Sequence, residues 1–345
     1  MMPNFGERLR SARKMAGMSL QELSNRMESP VSKQALSKYE QGKMQPDSPA
    51  LLSLSSALGV RPDYFFREPS QLSAIEFRKH ARLPEKERAR IEAKALDMLE
   101  RYRELESCLG MASSFVHPFP NAVLASFEEA ESYAEKLRDE WNLGVDPIPD
   151  VVEMLESYNV RVLMLDAPDG FDGLAAWSGN IPVIAFNQNR DVVRRRFTAL
   201  HELAHLLFRC EAANLRDNEK LAHAFAGAFL LPKESFLRAV GEKRTHFTER
   251  ELIDIKEYFG ISVGAIMARA KGLGVINEFT YKNFCIAWSK YRIKEPGKYR
   301  SKEEPARFRQ LLDRAVSEEV ITMSKAAELA GKSYNELSME MSFIY

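Results

Sequence analysis

The chain has 345 residues, 45% of them hydrophobic and 28% charged. That is too long for one core, and the composition excludes a mostly disordered, collagen-like or membrane-embedded chain. Lys plus Arg (49) balances Asp plus Glu (49), so general polyanion binding is excluded and any affinity for nucleic acid has to come from local charge. The three cysteines, Cys108, Cys210 and Cys285, are far apart and form no CxxC pattern. This points to a reducing compartment. The N-terminus lacks a signal-peptide layout, and the most apolar run, Ala224 to Leu231, is well short of the roughly 18 residues of a membrane span. The expectation is a cytoplasmic protein with no membrane association.

Residues 1–67 read as a compact all-α head. Phe5, Leu9 and Ala12 share one face of a first helix, which Gly17 ends. Ser19 offers an N-cap with Glu22 at capping-box spacing, and Leu20, Leu23 and Met27 mark a second helix. After the turn Glu28-Ser29-Pro30-Val31, Ser32 caps a third helix, Lys33 to Glu40, which stops at Gln41-Gly42. Its outward side chains Lys33, Gln34, Ser37 and Lys38 are polar and can reach base edges and phosphates in a major groove. Leu51, Leu54, Leu58 and Val60 close a small core. The head holds ten basic and six acidic residues, a net +4, which leaves −4 for the rest. The basic end is thus the end with the groove-reading helix.

Residues 5–66 resemble the Xre/Cro-type helix-turn-helix repressors, in "LSKYEQGKMQPD", "LLSLSSALGV" and "DYFF". The resemblance implies a five-helix DNA-binding domain, a double-stranded operator as partner, and Ser32, Lys33, Gln34, Ser37 and Lys38 on the reading helix. Two departures stand out: Leu20 directly follows the capping Ser19, with Gln21 one place later, and the turn before the third helix is longer than usual.

Residues 68–124 read as a linker, with Pro69, Ser70, Ser73 and Pro84, followed by an amphipathic helix over about 84–110. In this helix Ile91, Ala95, Met98, Tyr102, Leu105 and Leu109 form a heptad stripe. Two readings fit: a short homodimer seam, or a face packed on its own chain.

Residues 125–275 alternate helical and strand-like patterns. Val160–Leu165 and Pro182–Phe186 read as strands. His201-Glu202-Leu203-Ala204-His205 is an HExxH motif, and Phe197, Leu200, Leu203, Leu206 and Leu207 place it on a helix. Residues four apart share a helical face, so both imidazoles can bind one ion. Glu202 lies about 100° round the helix, where its carboxylate reaches a water on the ion rather than the ion, as a general base. A catalytic zinc needs a third protein ligand and an open position. Glu219 is the best candidate, at the start of a second helix running to Leu230.

The stretch from Glu219 to Pro232, with "PIPDVVEMLESYNVRVLMLD", "FDGLAAW", "PVIAFN" and "RRRFTALHELAHLLF" upstream, resembles the ImmA/IrrE-type metallopeptidases. The resemblance implies an α+β minimal zincin-like domain, zinc on His201, His205 and Glu219, and Glu202 as base. It also implies a repressor or toxin–antitoxin partner as substrate, in a stress response. Such a His2Glu set also accepts Mn²⁺ or Fe²⁺. The family has Asn where this chain has His223. Three roles fit: a fourth ligand that closes the open position, a donor to the developing oxyanion, or a solvated residue supporting the ligands. The run Arg194–Arg196 suits either an acidic substrate or a solvated face with a salt bridge.

Residues 276–345 read as one helical extension. Phe308, Leu311, Leu312 and Ala315 mark one helix. A capping Ser324, a short helix, Gly331 and another helix then form a second helix-turn-helix-like pattern, suited to packing, partner binding or added DNA contacts. The expected protein is therefore a multidomain regulator: an all-α head, a linker helix, an α+β zinc endopeptidase and a helical extension. The alternative is a non-catalytic autoregulating repressor or antitoxin whose metal is structural or sensory.

Overall fold

The computed structural model describes residues 5–67, 83–111, 114–211, 214–291 and 295–341. Pro69, Ser70 and Ser73 lie outside them. The chain divides into two compact units, one of residues 1–112 with 310–345 and one of residues 113–309.

The first unit opens with α1 (Phe5–Met15), α2 (Leu20–Arg26), α3 (Lys33–Glu40) and α4 (Ser48–Leu58), then a 3₁₀ turn over Pro62–Phe66 and α5 (Glu85–Cys108). The expected caps start the helices. Ser19 and Glu22 form a full capping box, and Ser32 Oγ accepts from Ala35 N, satisfying backbone donors that a helix start leaves bare. Phe5, Leu9, Leu23, Leu36, Leu54 and Phe65 are buried in one small core, with Leu51 and Val60 partly buried against it. The family resemblance implied a fifth helix in the head; a 3₁₀ turn stands there.

The stripe on α5 faces inward. Ile91, Ala95, Leu99, Tyr102 and Leu105 are buried within the unit, Leu99 taking the place expected for Met98. The packed reading of this helix holds, and the stripe is not available as a dimer seam.

The second unit holds β1 (Val123–Leu124), α6 (Phe127–Glu140), α7 (Val151–Ser157), β2 (Arg161–Leu165), β3 (Gly173–Ser178), β4 (Ile181–Asn187), α8 (Val192–Leu207), β5 (Arg209–Cys210), α9 (Leu215–Leu230), α10 (Lys233–Val240), α11 (Glu249–Phe259), α12 (Val263–Gly272) and α13 (Glu278–Trp288). The strands form a sheet of order β2-β4-β3, with β2 parallel and β3 antiparallel to β4, and a small parallel pair β1-β5. Strand β3 was not expected. Its Gly-Leu-Ala-Ala start is poor in the β-branched residues that mark strands. The core gathers α6, α8, α9 and the sheet, and includes Ala199, Leu203, Ala222, Phe225 and Phe229.

The region read as one C-terminal extension is divided between the units. Residues up to Arg309 belong to the second unit, and from Gln310 the chain returns to the first. The remaining helices are α14 (Arg307–Ser317), α15 (Met323–Ala330) and α16 (Tyr334–Glu340). Thr322, not Ser324, caps α15 by accepting from Lys325 N. In the first unit α15 is tied to the head and α5. Arg67 Nε donates to Glu328 (3.0 Å), and Arg101 Nη1 to the Leu329 carbonyl (3.1 Å).

Residues 295–307 form a strap on the second unit, joined to it by carboxylates at helix starts. Glu295 accepts from Val263 N and Gly264 N at α12. Glu303 accepts from Val151 N and Val152 N at α7. Glu156 of α7 in turn accepts from Ala306 N and Arg307 N. Helix N-termini favour negative charge. Glu303 also pairs with Arg196, both side chains being fully buried. Arg196 further donates to the carbonyls of Ile148 and Gly260 (2.7 and 3.1 Å) and lies over the Tyr299 ring. Gly260, at φ +64°, leaves room for it: a Cβ there would sit 2.6 Å from Arg196 Nε.

The run Arg194–Arg196 is therefore mostly internal. Only Arg194 is about half exposed, paired with Asp172 at 2.7 Å.

Removing one partner of a buried ion pair leaves the other charge uncompensated, at a cost of about 3–5 kcal/mol. Glu303→Ala is therefore expected to destabilise the second unit by about that amount. Urea unfolding followed by tryptophan fluorescence reads it, since Trp141, Trp177 and Trp288 all lie in that unit. A loss under about 1 kcal/mol would show that the strap does not depend on this pair.

Candidate metal centre and helix-turn-helix surface

Asp191 starts α8 by accepting from Arg194 N. From there Ala199, Leu200, Leu203 and Ala204 enter the core without solvent exposure. That burial turns the adjacent face of α8, with His201 and His205, toward α9. Asn214 starts α9 by accepting from Asp217 N. Phe225, Phe229, Ala222 and Ala226 are its buried face. The helix begins one turn earlier than expected, so Glu219 sits inside it rather than at its start.

The side chains expected to hold a metal come together. His201 Nε2 lies 3.1 Å from His205 Nε2 and 3.1 Å from Glu219 Oε2. His205 Nε2 lies 3.5 Å from Glu219 Oε1. A tetrahedral zinc with bonds of about 2.0–2.1 Å sets its ligand atoms about 3.3–3.4 Å apart. The two imidazole nitrogens and the Glu219 carboxylate lie close to that spacing, each nitrogen beside a different oxygen of Glu219, and the residues present fit the ion. The histidine side chains are buried, while Glu219 is about half exposed. Hydrogen bonds from His201, then from His205, hold the Glu219 carboxyl well below the usual carboxylate range. It is therefore an anion at neutral pH, the form that ligates.

Glu202 is buried at 3% exposure and stands outside the three-donor group. It faces β3. A Cβ added at Gly173 would lie 3.3 Å from Glu202 Cγ, and only 2.5 Å from Thr198 Cγ2. Glycine at 173 is what lets α8 approach this strand. Among the described residues β3 pairs with β4 alone, so it is an edge strand of this sheet.

His223 also stands outside the three-donor group. Its ring packs 4.5 Å from that of His201 and stacks at 5.7 Å on Phe197. The ring keeps solvent access. Yet its surroundings, through desolvation first and the positive field of His201 second, hold it down to about 4, so it is neutral at pH 7.

In the head, Ser32, Lys33, Gln34 and Lys38 are exposed along α3, while Ser37 is half-buried and its Oγ accepts from Gln41 Nε2 at 3.0 Å. Arg13 of α1 fixes this helix, donating from Nε and Nη2 to the two oxygens of Glu40 (2.6 and 3.0 Å). Gly6 lets α1 approach: a Cβ there would lie 2.6 Å from the Glu40 carbonyl oxygen. Gln21 is exposed on α2 and donates to Asn25.

Comparison with known proteins agrees with both halves. The helix-turn-helix family profile matches residues 9–65, and that of the IrrE N-terminal-like domain, a metallopeptidase family, matches residues 155–271. An uncharacterized HTH-type transcriptional regulator derived from the SPbeta prophage, YonR of Bacillus subtilis (strain 168), is 38% identical over 63 residues. The match covers 18% of this chain and 56% of that protein, so the chain spans about half the length of this relative. One polypeptide thus joins a helix-turn-helix segment to an IrrE-like segment. Among the described residues no helix is long and apolar enough to cross a membrane.

A larger residue at 173 has to displace Thr198 or the strand. Gly173→Val is expected to cost roughly 1–3 kcal/mol by overpacking, read as a drop in melting temperature. An unchanged melting temperature would show that α8 does not lie this close to β3.

Proposed function

We propose that this chain is a cytoplasmic DNA-binding transcriptional regulator carrying a zinc endopeptidase. Its substrate is a specific regulatory protein, a repressor or a toxin–antitoxin partner, cleaved in a stress response. The observation that carries the catalytic half is the convergence of His201, His205 and Glu219 at tetrahedral spacing, with Glu202 buried beside them. Three donors leave one position for substrate, the pattern of catalytic rather than structural zinc sites. That favours catalysis over a purely structural metal.

When bound, Zn²⁺ would polarise a peptide carbonyl and lower the pKa of water to about 7. His201 and His205 would hold it, and Glu219 would supply the charged oxygen. Glu202 accepts a proton from the attacking water and returns it to the departing amide nitrogen, as a general base and then a general acid. Burial against β3 holds that carboxylate in place. The unpaired edge of β3 would take an extended peptide by main-chain hydrogen bonds and bring a peptide bond to Glu202.

In the head, α3 enters a major groove of an operator, with Ser32, Lys33, Gln34, Ser37 and Lys38 toward bases and phosphates. Two copies read half-sites about 34 Å apart, paired through faces other than the covered stripe of α5.

Elemental analysis of the purified protein is expected to give near one zinc per chain, lost in Glu219→Ala. Glu202→Gln keeps its zinc but loses cleavage, read by labelling new protein N-termini in cells that express each form. A metal-free wild type supplied with zinc would sink the metal centre, and equal cleavage by Glu202→Gln would remove the base. For the head, duplexes selected from a random pool are expected to bind Lys33→Ala/Lys38→Ala at least tenfold more weakly, since each groove contact contributes about 1–3 kcal/mol. Unchanged affinity would remove α3 as the reader.

A further inference from the structure

A cleft of about 1110 Å³ is lined in part by His223. Its walls include the rings of Phe127, Phe197 and Tyr281, and its floor is small: Ala224 and Gly227 of α9 and Ala268 of α12. His223 is shared with the metal centre. One side of the residue lines the cleft, and its ring packs on His201. The residue that departs from the family resemblance therefore borders both the cleft and a metal-binding histidine.

A Cβ at Gly227 would meet Arg269 Cγ at 3.4 Å, an ordinary contact, so packing does not require glycine there. Phe127 is 52% exposed at the rim, an apolar surface that gains by being covered. The volume stands at the top of the usual range of roughly 300–1,000 Å³ for ligand sites, large enough to admit side chains of a polypeptide segment.

The rim charges say more. Arg269 is paired with Glu131, Lys220 with Asp217 and Lys271 with Glu278. Glu128 and Glu135 of α6 and Lys233 of α10 also line the cleft, and have no partner among the described residues. Seven residues apart, Glu128 and Glu135 share one face of α6, with a helical rise of about 10.5 Å between them.

We propose that this cleft is a specificity site for the protein substrate: it takes a segment with large apolar side chains flanked by basic residues. The apolar side chains enter between Phe127 and Tyr281, and the basic residues lie against Glu128 and Glu135. The segment then ends at His223, next to the metal centre. This deepens the peptidase reading given above and rests on it.

The test uses the full-length, zinc-loaded Glu202→Gln protein, in which a bound peptide is not cleaved. Three fluorescein-labelled twelve-residue peptides are the probes. One carries a Leu-Phe pair flanked by lysines, one has the lysines replaced by glutamates, and one has the pair replaced by alanines. Fluorescence anisotropy is expected to show the first binding at least tenfold more tightly than the others. Adding Ala268→Trp, which fills the cleft, lowers that affinity at least tenfold with zinc content unchanged. Glu128→Lys/Glu135→Lys, a surface change that spares the core, reverses the preference between the lysine and glutamate peptides.

Equal binding of all three peptides, or a tight peptide indifferent to both sets of changes, would overturn the proposal. So would an apolar dye displaced by Ala268→Trp in a protein that binds no peptide. Binding is read without hydrolysis. A parent that proves not to be a peptidase therefore leaves this test intact, and a failure here leaves the metal chemistry untouched.

Discussion

The packing of α8 against α9 is the constraint on which the site depends. Two imidazoles on one helix and a carboxylate on the next meet at 3.1–3.5 Å only because the helices approach closely. Small residues permit this: Ala199, Ala204, Ala222 and Ala226 are fully buried. Gly173 permits the matching approach of α8 to β3, which places Glu202. A wider spacing at either contact would leave three polar side chains near one another but not a donor set.

A second layer of order lies farther from the chemistry. Arg196 is on the same helix as His201, and its guanidinium is fully buried against Glu303 and backbone carbonyls. Glu303 also accepts from the start of α7. The helix that carries the histidines is therefore held at its N-terminal half by charge and at its C-terminal half by apolar packing. Ionic contacts of this kind set position more than they add stability. The head is held in a comparable way, where Arg13 joins α1 to the end of α3 through Glu40.

Local chemistry was legible wherever it depends on neighbours in the chain. The caps Ser19 and Ser32, the limits of α3 and the stripe on α5 are set by residues within a turn or two of one another. The HExxH spacing also determines that two imidazoles share a face, whatever lies around them. Strand β3 was harder to read, because its alanines and glycine carry little strand preference and Gly173 serves the close approach of α8. The Arg194–Arg196 run looked like a surface feature, since its partner Glu303 is more than a hundred residues away.

By itself, the sequence determined a basic all-α head, a metal-binding pattern on a helix, and the type of most local elements, β3 and the 3₁₀ turn of the head excepted. Short-range propensity, capping and periodicity suffice for these. Only the tertiary structure decided that Glu219 joins the two histidines while His223 stands beside them. It also decided that the C-terminal region divides between the two units, and that the α5 stripe is covered by its own chain. Each of these depends on which distant surfaces meet, and burial, carboxylates at helix starts and close glycine contacts settle that only once the chain has folded.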